Sequence, residues 1–358
     1  MLVDHRLFAC RASSHKILPT ANILLRLHRA EHLFDLTGVL VMRIVCGILM
    51  SLALVGCASA PSSKTVALPS AVTSQIAAEL AKIGRVVAPP PTEKLYAPLQ
   101  EREPYAGVQV RRDVRYGGDA RHLLDVFTLD KPQANQPVLV FVHGGAFMRG
   151  ERRTGDSPFY DNIMLWAVRQ GMVGVNMTYR LAPAHPWPAA QQDIQSALKW
   201  VRENIAASGG NPQRIILMGH SAGAAHVAQY LAHPQFHVVP GSGLAGAVML
   251  SGIFDPTTAE SNPPLQAYFG QDAAQYPARS AVPGLVASQV LMLLAYAELD
   301  PQDFHTQSEQ LNAALCKAGK CPGLYKLMGH SHMSEIYSIN SADKTVTTLM
   351  KQLVDRVR

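Results

Sequence analysis

Arg214-Ile215-Ile216-Leu217-Met218-Gly219-His220-Ser221-Ala222-Gly223-Ala224-Ala225 decides how the rest of the chain is read. A short apolar run meets a serine that has a glycine two positions away on each side, and an alanine-rich stretch follows. Small residues at those places let the backbone crowd into a sharp strand–turn–helix bend, which pushes Ser221 into an uncommon conformation with its hydroxyl exposed. A helix opening at Ala222 presents the positive end of its dipole to developing negative charge. The G-x-S-x-G pattern by itself occurs by chance. Its placement between an apolar strand and an alanine-rich helix is what gives it meaning.

Upstream, His143-Gly144-Gly145-Ala146-Phe147 follows the apolar strand Val138–Val142. Acyl transfer creates an oxyanion that needs preorganised N–H donors. Paired glycines let the main chain approach a carbonyl without side-chain obstruction. The Gly144 and Gly145 amides, with that of Ala222, are therefore the expected oxyanion hole, and His143 is expected to organise the loop. An acid and then a histidine should follow the serine. Past the strand Val290–Ala295 comes Glu298-Leu299-Asp300-Pro301-Gln302-Asp303. Asp300, fixed by the following proline, is the chosen acid; Asp303 and Glu298 are rivals, and Asp303 better suits capping the next helix. Past Leu324–Lys326 comes Gly329-His330-Ser331-His332-Met333, which offers two candidate bases. His-x-His also invites a metal, but no carboxylate or cysteine cluster at ligand spacing accompanies it in the sequence, so neither metal nor cofactor is expected.

Working outward, short apolar runs alternate with amphipathic segments, as in βαβ units. Strands are expected at Val108–Val114, Leu123–Thr128, Val138–Val142, Val173–Tyr179, Arg214–Met218, Leu244–Leu250, Val290–Ala295 and Leu324–Lys326. Helices are expected at Phe159–Gln170, Ala189–Ala206, Ala222–Leu231, Thr306–Ala318 and Ser341–Val357. The first two strands form a hairpin and the others a mostly parallel sheet with helices on both faces. Gly241-Ser242-Gly243-Leu244-Ala245-Gly246 matches a dinucleotide fingerprint by letter, but it precedes a strand and reads as a turn. Between Ile253 and Ser288 the rhythm lapses into a Pro-, Ala- and Gln-rich stretch. There Tyr268, Phe269 and Tyr276 either contact a substrate or pack on the body.

Of 358 residues, 48% are hydrophobic and 16% charged, which rules out a disordered or fibrous chain. The formal charge of +6 is scattered, without a basic stripe interleaved with aromatics, so nucleic acid is not an expected partner. Five cysteines in this length do not make a disulfide scaffold, although Cys316 and Cys321 lie close enough to pair in an oxidising compartment. From Met42 the chain reads MRIVCGILMSLALVGCASA: one cation, an apolar run too short to span a bilayer, then Leu54-Val55-Gly56-Cys57. This resembles the lipobox of bacterial lipoproteins, which implies cleavage before Cys57 and acylation of its sulfur and amine. Residues 42–56 are then a signal peptide and 1–41 a start-site artefact. Residues 57–107 form a tether and N-terminal cap, with helical spacing over Ser74–Val87, and 108–358 the catalytic domain. An uncleaved anchor over Gly38–Cys57 is the competing reading, against which Arg43 argues. The expected location is the bacterial cell envelope, held to a membrane and facing the periplasm or exterior.

Four motifs in order, His143–Phe147, Tyr179–Pro183, Gly209–Ile215 and Gly219–Gly223, resemble the α/β-hydrolase superfamily. More narrowly they are similar to carboxylesterases of the hormone-sensitive-lipase-like branch and their feruloyl- and acetyl-xylan-esterase-like relatives. The resemblance covers residues 108–358. It implies a mostly parallel eight-stranded sheet with a small cap, and cofactor-free hydrolysis of short carboxylic esters by a Ser221–His332–Asp300 triad. His332 is preferred because the family's histidine stands three residues after a loop glycine, here Gly329. The chain departs from the family at Ala146, where a third glycine is common, and at Met333-Ser334, where Gly-Phe is usual. Two other activities compete: an arylformamidase of the same fold, and a non-catalytic binding lipoprotein.

Overall fold

Central strands of a parallel sheet are buried on both faces, so they read as unbroken apolar runs. That is what the middle of this chain supplies. The structure, a computed structural model, describes residues 64–69 and 71–357, and every expectation about the leader, with Cys57, Cys10 and Cys46, falls outside them. The strands are β1 (Thr65–Leu68), β2 (Val108–Arg115), β3 (Leu123–Leu129), β4 (Gln136–Val142) and β5 (Val173–Met177), then β6 (Gly210–His220), β7 (Gly246–Leu250), β8 (Leu291–Ala297) and β9 (Leu324–Leu327). They form one sheet in the order β1-β9-β8-β7-β6-β4-β5-β3-β2. β2 pairs antiparallel with β3, and β3 antiparallel with β5; every other pair is parallel.

Successive residues of β4 supply opposite faces, as a pleated strand requires. Val138, Val140 and Val142 join one core, and Leu139 and Phe141 the other. The first core is covered by α4 (Ala189–Asn204), α5 (Ala222–Ala232) and α8 (Gln302–Lys317). The second is covered by α3 (Asp161–Arg169) and α10 (Thr345–Val357), joined by side chains of α1 (Ser74–Ile83) and α2 (Pro89–Tyr96). In place of eight strands there are nine among the described residues. The extra one, β1, lies parallel to β9 at the sheet edge and falls in the segment read as tether and cap. Four residues, Thr-Val-Ala-Leu, with Val66 46% exposed, carry too little alternation to read as a strand. The same segment buries Leu80 and Tyr96, and Gln100 donates to the Tyr337 and Ile339 carbonyls at 2.8 and 2.9 Å.

The Pro-rich stretch after Ile253 folds into α6 (Pro263–Phe269) and α7 (Val282–Ala287). Asn262 caps α6, its side chain accepting from the Leu265 amide at 2.9 Å, with Pro263 at the first helical position where a missing N–H costs nothing. Cys316 and Cys321 form a disulfide at the end of α8. Beside it, Lys320 Nζ donates to the Val286 and Ser288 carbonyls at 2.8 and 2.9 Å, satisfying the open C-terminal end of α7. Among the parallel strands, the carboxyl ends of β4, β6, β8 and β9 lead into the segments that bear Gly144, Ser221, Asp300 and His332. In open α/β sheets that edge is where ligands bind.

Candidate active site

Ser221 sits between β6 and α5 with φ 58° and ψ −126°, a backbone conformation that costs a non-glycine residue of order 1–3 kcal/mol. The neighbouring glycines explain how it is held. A Cβ on Gly219 would lie 2.3 Å from the Gly223 carbonyl oxygen, and one on Gly223 would lie 2.0 Å from that of Val142. The Ser221 amide donates to the Leu250 carbonyl at 2.9 Å, and the Ser221 carbonyl accepts from the Ala224 and Ala225 amides. Gly144 packs so closely that a Cβ there would stand 3.0 Å from the Ser221 Cβ. Gly145 has φ 129°, and Ala146 and Phe147 follow at 49° and 63°, so the departure from a third glycine is accommodated by two left-handed non-glycine residues. Gly144, Gly145, Ser221, Ala222 and His332 line one cavity of about 510 Å³.

His143 is fully buried, and its Nδ1 lies 2.6 Å from the Gly144 carbonyl oxygen, to which it donates. Its ring stacks on Tyr179 at 4.4 Å, and the Tyr179 hydroxyl donates to the His143 carbonyl at 2.8 Å. Burial pushes the His143 imidazole down to about 3, so it is neutral in this loop. The Tyr179–Pro183 stretch thus braces the glycine loop, and the Ala182 amide donates to the Phe147 carbonyl at 3.0 Å.

On the opposite side, His332 Nδ1 lies 2.7 Å from Asp300 Oδ1, and both side chains are fully buried. Asp300 Oδ2 accepts from the Ser251 hydroxyl at 2.6 Å and from the Ala297 amide at 2.8 Å. The rivals are engaged elsewhere. His330 is bonded to Ser334 Oγ through Nδ1 at 3.2 Å, and its Nε2 lies 3.2 Å from Asp343 Oδ2. Glu298 accepts from the Gly329 amide at 2.8 Å, which pins the loop that carries both histidines. Asp303, in the first turn of α8, accepts from the Glu260 amide at 3.1 Å, and burial raises its carboxyl above the ordinary range.

Several participants were not legible in the sequence. Val87, Pro89 and Glu93 wall one side of the cavity, although they belong to the segment read as tether. Phe304 lies 4.4 Å from the His332 ring. Leu265 of α6 lines the cavity, whereas Tyr268, Phe269 and Tyr276 pack into the body: Tyr268 stacks on Phe147 at 4.8 Å and donates to Gln191 at 2.7 Å. Folding also supplies the carboxylate that the His-x-His spacing lacked. Among the described residues, His220, His332 and Glu335 bring one potential ligand atom each within 4.8 Å of one another. His220 Nε2 is already engaged with the His332 carbonyl at 2.8 Å, and His332 Nδ1 with Asp300, so the cluster reads as a hydrogen-bond network.

Comparison with known proteins finds esterases among the proteins similar to this chain. The BD-FAE family matches residues 124–238. Esterase LipQ of Mycobacterium tuberculosis is 30% identical over 241 residues, covering 62% of this chain and 56% of that protein. The para-nitrobenzyl esterase of Bacillus subtilis is 39% identical over 122 residues, covering 31% and 24%. The chain therefore spans between about a quarter and a little over half of the length of these relatives. Esterase B of Lactobacillus rhamnosis superposes with a TM-score of 0.60 at 17% identity, covering 79% of this chain and 94% of that one. A thermostable esterase of Pseudomonas putida superposes with a TM-score of 0.59 at 20% identity, covering 81% and 99%. The fold is that of the α/β-hydrolases.

Proposed function

We propose that this chain is a serine carboxylesterase acting on short-chain carboxylic esters through an acyl-enzyme. One observation carries the reading. The left-handed Ser221 elbow and the Asp300-bound His332 open into the same cavity beside the glycine loop. In this reading Ser221 Oγ attacks the ester carbonyl while His332 Nε2 takes its proton, then returns it to the departing alkoxide. Asp300 holds Nδ1–H, which fixes the tautomer and stabilises the imidazolium. The amides of Gly144, Gly145 and Ala222 receive the oxyanion, each donor worth about 10²–10³ in turnover by analogy with other hydrolases. Water then attacks the acyl-enzyme by the same proton route in reverse.

Further parts of the proposal concern place. Residues 42–56 are a signal peptide and Cys57 carries the lipid, so the enzyme works at the bacterial cell envelope, bound to a membrane. The sequence MRIVCGILMSLALVGC supports that part. Replacing Cys57 by Ser should abolish incorporation of labelled fatty acid, and incorporation that persists would refute it.

The activity is tested with a fluorophosphonate probe and p-nitrophenyl acetate. The proposal expects labelling and turnover in the natural chain and neither in Ser221→Ala. A protein that does not label is a binding module. One that labels but cleaves N-formyl anilides in preference to esters is an amidohydrolase.

A further inference from the structure

Glu335 stands in α9 (Ser334–Tyr337), three residues after His332, and its carboxyl is completely buried. Both of its oxygens lack a conventional hydrogen-bond partner among the described residues. The charged groups acting on it among the described residues are Asp300, His332 and His330, not a lysine or arginine. The titratable and polar groups around it come from four elements. Asp300 follows β8, His332 and His330 lie in the loop after β9, and His330 is held by Asp343. His220 ends β6 with Nε2 3.3 Å from Glu335 Oε1, and Ser251 follows β7 with its hydroxyl within reach of the same carboxyl.

An ionised carboxylate stripped of water and partners is far too costly to keep, and two neighbouring carboxyls do not both ionise. Asp300 accepts from three donors, Ser251, Ala297 and His332. Glu335 has none. Burial, reinforced by the negative charge of Asp300, holds Glu335 well above the usual carboxylate range. As a neutral acid it has an O–H to give, and the Ser251 hydroxyl is the acceptor in reach. Ser251 is itself fully buried and held at φ 47°, with its amide on the Ala295 carbonyl at 2.9 Å. A serine kept in the left-handed region at the edge of a site marks a position where strain is retained for placement.

We propose that Glu335 is a positioning residue for the Asp300–His332 pair, donating its carboxyl proton to Ser251, which donates in turn to Asp300. The inference rests on the esterase reading for its catalytic consequence. The chain runs Glu335 O–H to Ser251 Oγ, Ser251 O–H to Asp300 Oδ2, and His332 Nδ1–H to Asp300 Oδ1, so Asp300 accepts from both sides and each hydroxyl has a direction. His220 Nε2 lies 2.8 Å from the His332 carbonyl oxygen and 3.3 Å from Glu335 Oε1, so both ends of the turn adjoin β6. Glu335 touches no reacting atom and does not line the cavity.

The test compares Glu335→Ala and Glu335→Gln with the natural chain, using kcat, KM, the pH profile of kcat/KM, and the low-field proton resonance of His332 Nδ1–H. Glu335→Ala should lower kcat about 10- to 100-fold with KM within roughly twofold, because orientation and not substrate contact is lost. Glu335→Gln keeps a neutral donor. It should recover most of that kcat, leave the acid limb in place, and retain the resonance that the Ala variant loses. A Gln variant whose acid limb moves down by about one pH unit would show that Glu335 is ionised and would overturn the proposal. So would an Ala variant with natural kcat and an unchanged resonance. If Glu335→Ala does not fold, the Gln profile and resonance decide alone. The resonance needs no substrate, so a chain that fails as an esterase still tests the hydrogen-bond chain, and Ser221→Ala identifies that separate failure.

Discussion

The serine side and the histidine side of the cavity are held by different physics. Around Ser221 the constraint is backbone crowding: Gly219 and Gly223 leave space for nothing larger than hydrogen, and Gly144 packs tightly beside them. Around His332 it is a buried polar network in which Asp300, Ser251, His220 and Glu335 meet from separate elements. Crowding is written in local letters and shows in any reading of the chain. A network depends on which distant residues fold together, so its members look like unremarkable Ser and Glu until the sheet is assembled.

The largest expected effect breaks both sides at once. Ser221→Ala and His332→Ala should each lower kcat by about 10⁴–10⁶, whereas His330→Ala should cost less than about tenfold. Turnover of p-nitrophenyl acetate checks this, and a dead His330 variant beside an active His332 variant would reverse the roles. Acid should come next. Burial holds His143, His220 and His226 at about 3, 4 and 3 against an ordinary 6.5. The unfolded chain then binds protons that the folded chain refuses. Stability is whole above pH 6.5 and drains as pH falls toward 4, at a slope approaching about 4 kcal/mol per unit near pH 5 for three protons. Denaturant midpoints at pH 7 and pH 5 measure it, and equal midpoints would mean that these rings are charged in the fold.

A third experiment separates the two kinds of constraint. Gly223→Ala drives a methyl to 2.0 Å from the Val142 oxygen, and it should cost about 3 kcal/mol in unfolding free energy. A silent Gly223→Ala would mean that the elbow is looser than a crowded backbone allows. The smallest effect belongs to Tyr179→Phe. It removes one buried hydrogen bond to the His143 carbonyl and should cost about 1–2 kcal/mol, read as a shift in the denaturation midpoint.

What was readable follows the same division. β4, β5 and β7 are buried along their whole length and apolar but for Gln136 and Asn176, and their positions were clear from the sequence to within two or three residues. The segments bearing Ser221, the glycine loop, Asp300 and His332 stood out because each follows a run that reads as a strand, and the structure puts each past the carboxyl end of a strand. The choice of His332 over His330 came from family spacing, and the structure separates the two rings by their partners, Asp300 and Asp343. The wall formed by Val87, Pro89 and Glu93 was not readable. Its Ala-, Ser- and Pro-rich surroundings carry the composition of a linker, and the segment is anchored to the body by isolated residues such as Leu80 and Tyr96. The sequence left the cap aromatics open for a related reason: an aromatic residue signals burial, not which cavity it faces.

That wall bears on how the protein is to be handled at the bench. A gene trimmed at the motif-bearing region, starting at Val108, would keep every group named in the chemistry and still yield a protein with one flank missing and a raw sheet edge at β9. Selectivity measured on such a fragment would describe a wider vessel than the natural one, so expression should begin upstream of Thr65.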